Sequence, residues 1–277
     1  MSFRRNAPVF GRRRFGGIAA LFVLGLFVLG LLVQATDDAP TADAIPDLSG
    51  TWAMVQFMPE VGNLPLVGES TVTAVVALVV DIEQTGTDLA FYDTYCHTEV
   101  LCSNWILKTE VPDLAVQSFD PPVRTGRIYE TEDGWKLEQD WHLEIRGCTL
   151  EAPETEELPV SADDPRVFDS DGDGHPGFTI PVSALGIVGG DTYVVQRLRY
   201  RTADASVSAD RIEGPLDWSS EQIVVGATNG FLMTGFEQWH DPDPDVHRFF
   251  MVRLEPEADC EAALAVLEET LVAFGGA

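Results

Sequence analysis

A chain of 277 residues, 45% of them hydrophobic and 22% charged, has the apolar content of a folded globular protein and not that of a disordered or fibrous one. Its 45 Asp and Glu against 17 Lys and Arg give a formal charge of −28. A surface that acidic repels phosphate backbones and anionic bilayers, which sets nucleic acid aside as a partner and favours solubility and cation binding.

Arg4, Arg5, Arg12, Arg13 and Arg14 precede an apolar stretch from Ile18 to Val33, and no acidic residue interrupts either part. A positive segment ahead of an apolar run predicts export, with residues 1–35 acting as a cleavable signal or as an N-terminal membrane anchor. The small residues Val33 and Ala35 end the run and place cleavage after Ala35, whereas Gly16 to Ala35 is also just long enough to span a bilayer. A membrane is a partner only if this segment is retained. The remainder is expected in the periplasm, outside the cell or at its surface. Cys96, Cys102, Cys148 and Cys260 are the only cysteines. An even number in an oxidising location predicts two disulfides, with the pairing left open.

Residues 36–47 read as a polar linker, and 48–277 as a single β-rich domain. Thr71 to Gln84, rich in Val and Thr, turns through Thr85-Gly86-Thr87 and returns as Leu89 to Tyr95, a hairpin. Arg127 to Thr131 returns through Asp133-Gly134 into a segment of strict alternation. There Trp135, Leu137, Gln139, Trp141, Leu143 and Ile145 share one face, and Lys136, Glu138, Asp140, His142, Glu144 and Arg146 the other. Further strands are expected at Thr192 to Arg201, Glu221 to Ala227 and Val246 to Glu255, with another at Phe231 to Gln238. Eight to ten strands make an antiparallel barrel or sandwich. Leu264, Leu267, Leu271 and Phe274 then recur at three and four, between Asp259 and Gly275-Gly276, and predict a C-terminal α-helix over 259–274. The fold class is thus mainly β with one terminal helix.

Residues 151–175 form an acidic loop in which Arg166 is the lone basic residue. At its end stands Asp169-Ser170-Asp171-Gly172-Asp173-Gly174-His175. Carboxylates at the first, third and fifth positions converge on one hard cation, Gly at the sixth allows the sharp bend, and the seventh supplies a backbone carbonyl. This segment resembles the first half of EF-hand-type calcium loops and assigns calcium to Asp169, Asp171, Asp173 and His175. Ile180 holds the twelfth position, where an EF-hand carries a bidentate Glu, so the remaining ligands must come from elsewhere, with Asp163 or Asp164 as candidates.

The segment Asp47-Leu48-Ser49-Gly50-Thr51-Trp52 resembles the Gly-x-Trp opening of lipocalin-like β-barrels. That resemblance implies a closed barrel whose Trp seals the floor beneath an apolar cup, and a carrier of a small apolar molecule. It favours the barrel over the sandwich. No hydrolase elbow, zinc-protease helix, phosphate loop or dinucleotide fingerprint occurs. The chain therefore reads as a binding or structural domain. Two lesser candidates remain. His240 and His247, with the aspartates between them, have side chains suited to a transition metal and to a metal-dependent enzyme. Arg197, Arg199 and Arg201 project from one strand face, where they pair with neighbouring carboxylates or hold an anionic ligand.

Overall fold

A computed structural model describes residues 44–64, 68–104, 107–184, 188–233 and 238–275. The expected export segment and most of the linker lie outside these residues.

Three long strands start the fold: β1 (Gly50–Leu64), β2 (Gly68–Thr85) and β3 (Asp88–Cys102). They pair antiparallel in sequence order. The Thr-Gly-Thr turn forms as expected, with Gly86 at φ 65°, where a Cβ would be strained. β5 (Arg124–Thr131), β6 (Gly134–Gln139), β10 (Ala205–Val207), β11 (Arg211–Pro215) and β14 (Arg248–Arg253) continue the sheet, and β14 pairs back onto β1. The result is a closed, eight-stranded antiparallel barrel, in general shape like a lipocalin barrel.

The strands left out of this ring build a second sheet. β4 (Leu107–Thr109), β7 (His142–Arg146), β8 (Phe178–Ala184), β9 (Val188–Arg201) and β12 (Asp217–Ala227) are all excursions between barrel strands. β9 lies between β12 on one side and β7 with β8 on the other. The alternating segment 135–146 is therefore not one strand. β6 belongs to the barrel and β7 to the second sheet, and the phase inverts between them. Leu137 and Gln139 are buried, then His142 and Glu144 are buried while Trp141 is 46% exposed. A two-residue period locates faces within a strand but does not reveal a change of sheet.

β1 and β2 are apolar on both sides because both are covered. Trp52, Met54, Met58, Val76, Leu78, Val80 and Ile82 face the main core, whereas Val55, Phe57, Val75 and Ala77 meet Leu267 of α2 (Cys260–Gly275) outside the barrel. The Asp259 carboxylate accepts from the Glu261 amide and caps this helix at its start. A bulge at Cys96 adds one residue to β3, so Tyr95 points inward and Cys96 outward, where it forms a disulfide with Cys260. The second expected disulfide does not form. Cys102, at the end of β3, and Cys148, buried after β7, are free thiols. Their burial in separate places raises the pKa of both, that of Cys148 to about 11.

The acidic loop is packed and not merely solvated. Leu158 is buried on the outer face of the second sheet with Leu150, Tyr193, Val195 and Val225. Arg166 is its hub: the guanidinium donates to both Asp164 carboxylate oxygens, to Glu156 and to the Glu157 carbonyl. Asp164 is committed there.

Candidate functional site

The inner faces of β1, β2 and β3 run past the barrel's packed interior and face the second sheet. Along β1 that face carries Trp52, Met54, Gln56, Met58 and Glu60 at alternate positions. The Trp52 end is closed: the indole is fully buried, its N–H donates to the Leu48 carbonyl at 2.9 Å, and the Arg253 guanidinium lies 4.3 Å from its ring centre. Arg253 in turn donates to the carbonyls of Asp47, Ser49 and Ala209, tying the chain before β1 to β14.

The other end is open. Met58, Val72, Ala74, Val76 and Val100 from the long strands oppose Phe178, Ile180, Leu198, Trp218 and Val224 from the second sheet, leaving a cleft of about 370 Å³ between the two layers. The bulge at Cys96 directs Thr98 and Val100 into it, and on β12 the regular alternation of Trp218, Ser220, Gln222 and Val224 faces it up to a bulge that follows Val224. Thr109, Thr192, Gln196, Ser220, Gln222 and Gln238 add polar atoms to the walls. Among the described residues lining the cleft, two ionise: Glu60 and Arg146.

Arg146 is spent on the protein itself. It donates to Glu144 at 2.6 Å, to the Tyr95 hydroxyl at 2.8 Å and to Gln196 at 3.1 Å, and it lies over the Phe119 ring. Burial alone would raise the Glu144 carboxyl, but the Arg146 charge and His142 beside it take it down to about 2. A second buried pair supports this wall: Arg124 grips both oxygens of Asp93, at 2.5 and 2.6 Å, and also donates to Gln139. The Tyr200 hydroxyl donates to the same Asp93 at 3.4 Å.

Glu60 is different. It has no hydrogen-bond or ion-pair partner among the described residues, and desolvation raises its carboxyl to about 7. Its cross-strand neighbours are Val72 on β2 and His240 on β13 (Gln238–His240), a short strand added to the end of β1. His240 stacks on Trp218 with ring centres 4.2 Å apart, and desolvation, then the nearby His247, lowers its pKa.

Among the described residues His240 and His247 are not brought together with carboxylates into a metal-ligand cluster, and His247 is held by other groups. Trp218 Nε1 donates to His247 Nδ1 at 2.8 Å, so the imidazole proton sits on Nε2, which donates to the Asp241 carbonyl at 2.7 Å. Both nitrogens are occupied. Arg197 and Arg201 pair outward with Glu221 and Asp217 on β12, and Arg199 and Arg201 lie over Trp141.

Asp169, Asp171 and Asp173 are brought together. One carboxylate oxygen from each lies within 4.8 Å of the others, the one such acidic cluster among the described residues. The turn is held by amides of Gly172 and Gly174 donating to Asp169, of Thr179 to Asp171 and of His175 to Asp173. Gly174, at φ 90°, makes the bend that the sixth position requires. Among the described residues, one Asp171 oxygen is buried without a partner. Burial, and then the charges of Asp173 and Asp169, raise the Asp171 carboxyl, whereas the Gly174 amide lowers Asp169. The His175 ring stacks on Tyr193 at 4.3 Å, leaving its backbone carbonyl as the possible ligand. The loop leads directly into β8, whose Phe178 and Ile180 line the cleft.

No family model, curated protein or solved structure matches this chain. The long-strand cleft, with Glu60 and Trp218, escaped sequence reasoning because its two walls come from distant parts of the chain, β1 to β3 on one side and β8, β9 and β12 on the other. Glu60 follows a proline inside an apolar run, and that was its one visible signal.

Proposed function

We propose that this protein is an exported binding domain that takes up a small amphipathic molecule between its barrel and its second sheet, and that calcium stabilises it. The observation that carries this reading is the cleft: about 370 Å³, walled by apolar side chains from both layers and dotted with a few polar groups. That volume lies in the range of about 300–1,000 Å³ typical of small-molecule sites. Kinship with lipocalin-like carriers is supported by the Gly50-Thr51-Trp52 opening and the eight-stranded ring, although the cup expected inside the barrel is displaced. The barrel interior is filled by Met54, Leu78, Phe91, Ile128, Leu137, Ile212 and Met251, and the space lies at its mouth.

Calcium is supported by the three converging aspartates and the partnerless Asp171 oxygen. Asp169, Asp171, Asp173 and the His175 carbonyl would hold it, with Asp163 or water completing the shell. Its chemistry there is structural: neutralising three carboxylates and fastening the acidic loop where β8 begins.

Titration with dodecanol, followed by tryptophan fluorescence, tests the cleft. Trp218 lines it, so the emission changes on binding and Trp218→Phe removes most of the change. Ala74→Phe fills the space and abolishes binding while the circular dichroism stays that of the wild type. Saturable binding that survives Ala74→Phe would place the ligand elsewhere.

A further inference from the structure

The ligand's chemistry follows from the imbalance between the two ionisable residues in the cleft. Arg146 is neutralised by Glu144, and its three nitrogens already serve Glu144, Tyr95 and Gln196. Its side chain is only 12% exposed. An anionic head group would find no free cation here. Glu60, by contrast, offers acceptor oxygens with no described partner, in a desolvated wall where a lone carboxylate is costly. His240 across the strand pair carries no compensating charge, since its environment favours the neutral ring. The Gln222, Gln238 and Ser220 side chains line the same space and supply further acceptors, enough for an ammonium with its three donors. The apolar side chains from both sheets suit an aliphatic or aromatic body behind that head.

We propose that Glu60 selects ligands that carry a protonated amine on an apolar body. This rests on the cleft being the binding site and adds the class of molecule it takes. A neutral ligand leaves the Glu60 carboxyl unpaired, and a fatty acid sets a second carboxylate against it. The acidic charge of the whole protein enriches cations near the surface, but it acts on every cation alike and does not depend on Glu60.

Calorimetric titration of the exported domain with dodecylamine, dodecanol and dodecanoate, at about pH 8 so that Glu60 is ionised, tests this. Dodecylamine binds about tenfold or more tightly than dodecanol, the effect of one charge-assisted hydrogen bond, and dodecanoate binds most weakly. Glu60→Gln removes the preference for the amine and leaves dodecanol unchanged. Glu69→Gln, an exposed carboxylate on the neighbouring strand, keeps the preference. Equal binding of amine and alcohol, or an amine preference that Glu60→Gln leaves intact or that Glu69→Gln weakens as much, overturns the assignment and leaves the cleft standing. Failure of all three molecules to bind a folded protein overturns the cleft reading and this inference together.

Discussion

Trp52 and Glu60 occupy the same face of the same strand, eight residues apart, and the structure treats them oppositely. At the Trp52 end the indole is enclosed, its N–H is partnered, and Arg253 lies over it while binding three carbonyls. At the Glu60 end the walls part, and a partly desolvated carboxylate has no cation beside it among the described residues. The floor is closed and fully partnered, whereas the mouth holds a carboxyl that desolvation disfavours in its charged form. The long strands β1 to β3 serve both: the first halves of β1 and β3 and the second half of the antiparallel β2 complete the barrel, and their other halves form one wall of the cleft.

The largest effect expected from this contrast is at the floor. Trp52→Ala should lower unfolding free energy by about 3–5 kcal/mol, whereas Met58→Ala, bordering open space, should cost less than half as much. Urea unfolding of both variants measures this, and equal losses would erase the distinction between the ends.

The Cys96–Cys260 disulfide fastens α2 over the outside of β1 and β2 and closes a separation of 164 residues. Cys260→Ser should cost about 2–4 kcal/mol. Thiol titration of the unreduced, unfolded wild type should find Cys102 and Cys148 reactive; four reactive thiols would mean that the staple is absent.

Calcium should sharpen the comparison from the second sheet's side, because its loop leads into β8. At about 10 mM it should stabilise the fold by roughly 1–3 kcal/mol, given the weak affinities of extracellular sites. Magnesium at the same concentration should do much less, and Asp171→Ala with Asp173→Ala should abolish the difference. A variant lacking two distant carboxylates, Glu132 and Glu213, controls for diffuse binding; equal loss of the calcium response there would refute the site.

The smallest effect is a pH dependence at the mouth. Glu60 binds its proton more tightly in the folded state than in the unfolded one, so its contribution to stability is complete below about 4.5 and is lost as pH rises through about 7. The groups around it do not reverse that sign: His240 is depressed, and Arg146 is held by Glu144. Glu60→Gln should therefore leave melting unchanged near pH 4 and raise stability by about 1–2 kcal/mol near pH 8, less than the full shift because the side chain is partly solvated. A variant that gains equally at both pH values would show that Glu60 is ordinary.

The sequence by itself determined whatever depends on neighbours along the chain. The β2–β3 hairpin, the Gly86 and Gly134 turns, the amphipathic helix ending the chain and the clustering of Asp169, Asp171 and Asp173 all rest on residues within a few positions of one another. Strand period, turn chemistry and helix period are local, and they came through. What only the tertiary structure decided is which strands leave the barrel. His142 and Glu144 sit on the polar face of an unbroken alternation, yet they are buried, because β7 joins β9 and delivers them to Tyr95 and Arg146. Cys260 found Cys96 because a bulge turned that sulfur outward under the helix, and Cys102 and Cys148 were left where no partner reaches them. The cleft belongs to this second kind: Glu60 gains its meaning from Phe178, Trp218 and Val224, which are distant in sequence and meet it only because two sheets face each other.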